Sequence, residues 1–471
     1  MMRRLALAAG PLALTVAVMA PAPGAMTEPA WRVTGLAAWM ALWWLSAVVP
    51  LEATALIPLA VLPLLVRTPI MDVAAPYADP VIFLFLGGFF LAATLERWGL
   101  HRRFATATLR LVGTGPRRVV LAFLLISAFA SMWLSNTATA VMMLPIAAAV
   151  AHDRDGLPKG FSTALYLGVA YGASIGGVAT LIGTPPNALL AANAHELIGR
   201  DISFASWLPT GLLVAVPMLF GTWLFLTTLF RVPATRLPGT MAPAVDHPAA
   251  PLSGGDRFVL GVFAATALAW IARTPKLIGP VHVPGLTDLM PGISDAGIAM
   301  CAALALFAVP LPRARFRTAL DWETARGIPW GVLLLFGGGL SLATAFQSSG
   351  LSAWIAGRLE GFAGLPLPLI LAATATLFVL MTELTSNTAT AAVGLPLMAS
   401  VAGGLGVAPL PVMAAAALGS SMAFMLPVAT PPNAIVFGSG AVASGDMARA
   451  GAGLNVMAIV IITVVVWITL G

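Results

Sequence analysis

The sequence predicts an all-α, polytopic membrane protein, and three observations predict it. Of 471 residues, 59% are hydrophobic and only 9% are charged, a balance outside that of water-soluble domains. The apolar runs are long, continuous and rich in Ala, Leu, Gly and Met, whereas an outer-membrane barrel would alternate over ten-residue strands. Roughly 20 apolar residues make one crossing, so with short connections the length holds about 11 transmembrane helices and no large soluble domain.

Taken in order, the apolar runs predict spans near 5–20, 33–49, 51–66, 80–95, 161–194, 205–230, 256–272, 292–311, 328–346, 408–441 and 452–470. Runs 119–150 and 366–403 each carry a polar break at mid-depth, and each reads as a re-entrant helical hairpin that enters and leaves on one side. With a cytoplasmic N-terminus, 18 of the 24 Lys and Arg residues fall on the cytoplasmic side and 6 on the other. That bias supports the orientation and the hairpins together, because counting a hairpin as one span breaks the alternation. The expected location is the inner (plasma) membrane.

Residues 1–29 read as an N-terminal anchor helix or a signal-like segment, since Arg3 and Arg4 precede an apolar run and a Pro/Ala/Gly stretch. Residues 232–255 are a Pro-rich cytoplasmic linker between halves 30–231 and 256–471. Stretches 101–112 and 351–362 read equally as amphipathic interfacial arms or as plain loops.

Several chemistries are excluded. A single cysteine, Cys301, allows neither an intramolecular disulfide nor a cysteine metal cluster. The only lysines, Lys159 and Lys276, precede Gly160 and Leu277, so the Lys-Ser/Thr of a phosphate-cradling loop is missing and the chain does not itself pump with ATP. His101, His152, His195, His247 and His282 all fall in polar connections, which leaves no intramembrane histidine cluster. The formal charge of +6 follows from topology and does not call for nucleic acid. Neither an enzyme nor a resident cofactor is expected.

Self-similarity is the strongest signal. Ser135-Asn136-Thr137-Ala138-Thr139-Ala140 recurs as Ser386-Asn387-Thr388-Ala389-Thr390-Ala391, and the same offset carries Phe85, Gly87 and Gly88 onto Phe336, Gly338 and Gly339. Downstream, Thr184-Pro185-Pro186-Asn187-Ala188 recurs as Thr430-Pro431-Pro432-Asn433-Ala434. An odd number of crossings separates the copies, so the halves are expected upside down relative to each other, one hairpin opening inward and the other outward. This is the inverted-repeat plan of secondary transporters, with the site near the midplane.

The motif chemistry fits that plan. A Ser-Asn-Thr tip at lipid depth needs a polar cavity, and its hydroxyls and amide can face an anion and a cation at once. Paired prolines remove backbone donors, which frees carbonyls for a cation and aims half-helix N-termini at an anion. No Lys or Arg lies within either tip, so an anion would be held by neutral donors and bound cations. Glu383, whose repeat mate is Met132, reads equally as support for a cation site or as the partner of a loop arginine.

These motifs resemble those of the divalent anion/sodium symporter family, over residues 31–471. The resemblance implies a homodimer in which fixed scaffold helices carry mobile transport domains that move like elevators. It implies sodium ions as coupling ions, the first site using Ser131, Ser135, Asn136 and Gly183 and the second Thr382, Thr385, Asn387 and Ala429. Substrate carboxylates would meet Ser135, Asn136, Thr137, Thr184, Pro185, Ser386, Asn387, Thr388, Thr430 and Pro431. The copies differ at Gly183 against Ala429 and at Leu134 against Thr385. The expected function is sodium-coupled symport of C4-dicarboxylates, because two similar donor clusters suit a molecule with a carboxylate at each end. A sodium-independent dicarboxylate exchanger and a sulfate or citrate carrier are the alternatives within the family, and a gated anion channel or receptor is the alternative outside it.

Overall fold

The computed structural model describes residues 2–100, 103, 115–152, 159–234, 251–278, 281–311 and 316–471. The first half contains α1 (Met2–Met19), α2 (Glu28–Ser46), α3 (Ile57–Leu65), α4 (Pro80–Arg97), α5 (Pro116–Ser131), α6 (Asn136–His152), α7 (Lys159–Gly177), α8 (Pro185–Ile198) and α9 (Phe204–Leu229). The second contains α10 (Gly254–Ala272), α11 (Asp295–Ala308), α12 (Trp330–Ser348), α13 (Leu351–Leu359), α14 (Leu367–Leu384), α15 (Asn387–Gly404), α16 (Pro409–Gly419), α17 (Pro431–Gly438) and α18 (Ser444–Leu470). Short one-turn helices join several of these.

Six helices among the described residues are long and apolar enough to cross a bilayer, and four shorter apolar ones accompany them. A break at each Ser-Asn-Thr motif separates α5 from α6 and α14 from α15. Both Pro-Pro runs break their helices, leaving residues 178–184 between α7 and α8 and residues 420–430 between α16 and α17.

Three expectations need correction or closer definition. The expected single span at 51–66 is two pieces, Leu51–Thr54 and Ile57–Leu65. Pro58 opens the second piece and has no N–H to continue the first. The fold is mostly helical, and among the described residues it also carries a short antiparallel pair, Lys276–Ile278 with Val281–Val283, between α10 and α11. Of the two proposed arms, the stretch at 351–362 is helical, as α13 and a 3-10 turn at Glu360–Phe362. The one at 101–112, apart from Arg103, lies outside the described residues, as does most of the linker.

Small residues let the hairpins seat. Gly172 and Gly176 repeat at four-residue spacing on the α7 face toward α5. A Cβ on Gly172 would lie 2.5 Å from Leu124 O, and one on Gly176 would run into the Ala128 backbone. The two backbones are in contact, which is how helices associate where lipid removes the hydrophobic drive.

The packing of one half is echoed in the other. First hairpin arms lie on the pre-break helix of their own half, α5 on α7 and α14 on α16. Second arms lie on the post-break helix of the opposite half, α6 on α17 and α15 on α8. Phe85 and Phe336, which share a place in the repeat, meet edge to face with centroids 5.2 Å apart.

Candidate functional site

Each hairpin tip folds its asparagine back onto a hydroxyl five residues upstream. Ser131 Oγ donates to Asn136 Oδ1 at 2.6 Å, and Thr382 Oγ1 lies 2.7 Å from Asn387 Oδ1 and 2.8 Å from Ser420 O, with one proton to share between them. Ser131 and Thr382 are fully buried, so the tips are polar spots inside the helix packing.

The helix breaks are braced in one way in both halves. Asn187 Nδ2 donates to Gly177 O, Val178 O and Thr180 O at 3.4, 3.1 and 2.8 Å. Asn433 Nδ2 donates to Ala423 O and Leu426 O at 3.2 and 3.1 Å. Carbonyls freed at a helix end need donors when buried, and the motif asparagine supplies them from the next helix.

Around the first tip, oxygens crowd both Gly177 and Gly183. A Cβ on Gly177 would lie 2.7 Å from Asn136 Oδ1 and 3.2 Å from Gly183 O, while one on Gly183 would strike Gly177 O and lie 2.9 Å from Ser131 O. Only glycine lets these carbonyls converge. Hard cations take oxygen ligands, and unwound backbone at a helix break is where transporters coordinate sodium.

Of the expected first-site ligands, Ser131, Asn136 and Gly183 are brought together, whereas Ser135 Oγ caps α6 by accepting from Ala138 N at 3.1 Å. In the second cluster, Thr382 and Asn387 touch. Thr385 spends its hydroxyl on Met381 O (2.8 Å) and Thr390 Oγ1 (2.6 Å), leaving its carbonyl. Ala429 is buried in the break. Its N–H meets Leu426 O at 3.2 Å, as Gly183 N meets Thr180 O at 3.4 Å. Leu134 replaces Thr385 in the first tip, and there Thr139 Oγ1, the counterpart of Thr390, is buried with no partner among the described residues.

Helices α6, α8, α15 and α17 all begin at motif residues, Asn136, Pro185, Asn387 and Pro431, so four positive dipole ends accompany the motifs. Thr184 and Ser386 make no side-chain cap, while Thr430 Oγ1 accepts from Asn433 N at 3.3 Å. Ser135, Thr137 and Pro431 are exposed, Asn136, Pro185, Ser386, Asn387 and Thr388 are half-buried, and Thr184 and Thr430 are buried. A cavity of about 490 Å³ opens beside the first tip, with Leu134, Ser135 and Ala138 in its wall.

Glu383 turns out to brace the second break. Its Oε1 accepts from Phe424 N (2.7 Å), Met425 N (2.9 Å) and Asn455 Nδ2 (2.7 Å), and its Oε2 from Leu426 N (3.1 Å). Four donors to one buried carboxylate replace a cationic partner. At the equivalent place in the first half, Thr180 Oγ1 donates to Met132 O at 2.5 Å. Sequence reasoning missed Thr180, Ser420 and Asn455; a lone amide within the apolar 27-residue α18 was the available signal for Asn455.

The sodium:sulfate symporter transmembrane region, as a family model, matches residues 2–471. The chain belongs to this family. It is a multi-pass membrane transporter, not an enzyme. Two similar relatives carry the name sodium-dependent dicarboxylate transporter SdcS. The one from Staphylococcus saprophyticus is 36% identical over 97% of this chain and 89% of its own length. The one from Staphylococcus aureus is 36% identical over 92% and 85%. In fold the chain resembles the crystal structure of the Alcanivorax borkumensis YdaH transporter, with a TM-score of 0.58 at 18% identity, over 94% of this chain and 99% of that one.

Proposed function

We propose that this protein is a sodium-coupled symporter of C4-dicarboxylates such as succinate, malate and fumarate. The observation that carries the proposal is the pair of matched clusters, in which a tip asparagine, an upstream hydroxyl and a braced helix break are built alike in both halves. Ser131, Asn136 and the carbonyls of Gly177 and Gly183 would take the first sodium ion, and Thr382, Asn387 and the carbonyls of Thr385 and Ala429 the second. The substrate carboxylates would lie over Ser135, Asn136, Thr137, Thr184 and Pro185 on one side and Ser386, Asn387, Thr388, Thr430 and Pro431 on the other.

The crosswise packing of second arms on opposite post-break helices, with Phe85 against its mate Phe336, supports inverted repeats over 30–231 and 256–471. About 11 spans, a linker at 232–255 and an N-terminal anchor at 1–29 complete the proposed organisation. The same reading includes a homodimer moving as an elevator in the inner membrane, with a cytoplasmic N-terminus. The names of the Staphylococcus relatives support sodium and dicarboxylates.

A dianion carried with more than two sodium ions brings in net positive charge, which gains about 2.3 kcal/mol per charge per 100 mV of membrane potential. Uptake of radiolabelled succinate into proteoliposomes is therefore expected to require sodium and to rise with an inside-negative potential. Equal uptake with choline or potassium in place of sodium replaces symport by exchange. Competition by sulfate but not by fumarate or malate overturns the substrate. Absence of saturable counterflow would favour a channel.

A further inference from the structure

We propose that Arg97 forms a second, weaker anion site on the path between the first tip and the cytoplasm, taking a carboxylate of the departing substrate. This rests on the dicarboxylate reading above. The cavity of about 490 Å³ that has Ser135 in one wall has Glu96 and Arg97 in another and Gly327 to Pro329 in a third. One space therefore joins the first tip to Arg97.

Arg97 is held there by an ion pair and a ring contact. Its side chain is only 13% exposed, Nη2 lies 2.5 Å from Asp321 Oδ2, and its guanidinium carbon sits 4.1 Å from the centre of the Phe316 ring. Asp321 is itself fixed by Thr324, whose N–H and hydroxyl donate to Oδ1 at 2.9 and 2.8 Å. What is left over is Nη1, which is buried and has no hydrogen-bond partner among the described residues.

A guanidinium offers a planar fork of N–H donors that matches a two-oxygen anion. Asp321 occupies one part of that fork at Nη2, and Nη1, buried and unpartnered among the described residues, is the donor that a carboxylate entering the cavity would satisfy once the side chain turns to meet it. Glu96 in the same cavity repels a dianion, and Asp321 has already neutralised much of the arginine's charge. Both weaken residence, as release requires; a tight site here would trap the substrate after it leaves the tip.

The test is the half-saturation for transport measured separately from each face of oriented proteoliposomes. Arg97→Gln is expected to raise the half-saturation for efflux about tenfold, the worth of one charge-assisted hydrogen bond, while that for uptake stays within about twofold. Asp321→Asn keeps an acceptor for Thr324 and removes the competing carboxylate, so efflux half-saturation is expected to fall about threefold. The assignment is overturned by unchanged efflux in Arg97→Gln, by a matched rise on both faces or by a rise on the external face alone. If Arg97→Gln does not fold, Asp321→Asn decides, with an unchanged or raised efflux value overturning the site. Wild-type vesicles that carry sulfate and not succinate overturn the dicarboxylate reading instead. The same variants are then measured with sulfate, which the guanidinium also binds.

Discussion

Gly183→Ala tests the first cation cradle. The new methyl would lie against Gly177 O, 2.9 Å from Ser131 O and 3.0 Å from Gly177 Cα, and all three are backbone atoms that no rotamer change can move aside. Overpacking of this kind costs about 1–3 kcal/mol. Relief comes only by parting the carbonyls that form the cradle, so that cost falls on cation binding. At about 1.4 kcal/mol per decade it corresponds to a roughly 5- to 150-fold rise in the sodium concentration for half-activation. Position 429 already carries alanine, so Ala429→Gly removes no clash and should shift the sodium curve less than twofold, as a rough bound from the same scale. The assay is the sodium dependence of succinate uptake in proteoliposomes, together with the thermal midpoint in detergent with and without sodium. A Gly183→Ala curve that superimposes on the wild type at full uptake rate would refute the cradle, as would an equal shift in both variants.

Glu383→Gln removes the acceptor for Leu426 N–H and turns an amide donor toward it, so two buried groups lose partners and the protein should lose about 2–4 kcal/mol of stability; an unchanged thermal midpoint contradicts the brace. Asn136→Ala and Asn387→Ala should each weaken sodium activation and succinate binding together, while Leu144→Ala, one helical stretch beyond the tip, should alter neither; unaltered transport in both asparagine variants removes the site assignment. The backbone N–H of Thr324, followed by its hydroxyl and Arg97, holds the Asp321 carboxyl below the usual carboxylate range. A lowered carboxylate contributes fully above its ordinary pKa of about 4 and is lost only as the pH falls through its lower folded value. Efflux half-saturation between pH 5.5 and 8 should therefore follow the substrate's own protonation alone; a further inflection in that window would show that Asp321 titrates there.

The helical membrane character, the helix breaks and the motifs were legible because each is a local property of the chain. Hydrophobic run length reports membrane depth, a Ser-Asn-Thr tip or Pro-Pro pair interrupts the run, and repetition needs only two stretches to be compared. The split at 51–66 was hidden because Ala55 and Leu56 are as apolar as the helices on either side, so hydropathy alone shows no break.

What the sequence by itself determined is a helical membrane transporter with two matched polar tips and two matched helix breaks. The tertiary structure decided which atoms meet. Glu383 reaches Phe424, Met425, Leu426 and Asn455, Tyr171 OH donates to Phe424 O at 2.9 Å across 253 positions, and Arg97 shares a cavity with Ser135. Within lipid, hydrophobicity sets how deep a residue lies but not which helix it faces, since tails and side chains are equally apolar. Neighbours are chosen by close packing of small residues and by the need to satisfy every buried donor and acceptor, and both conditions are met only between segments far apart in the chain.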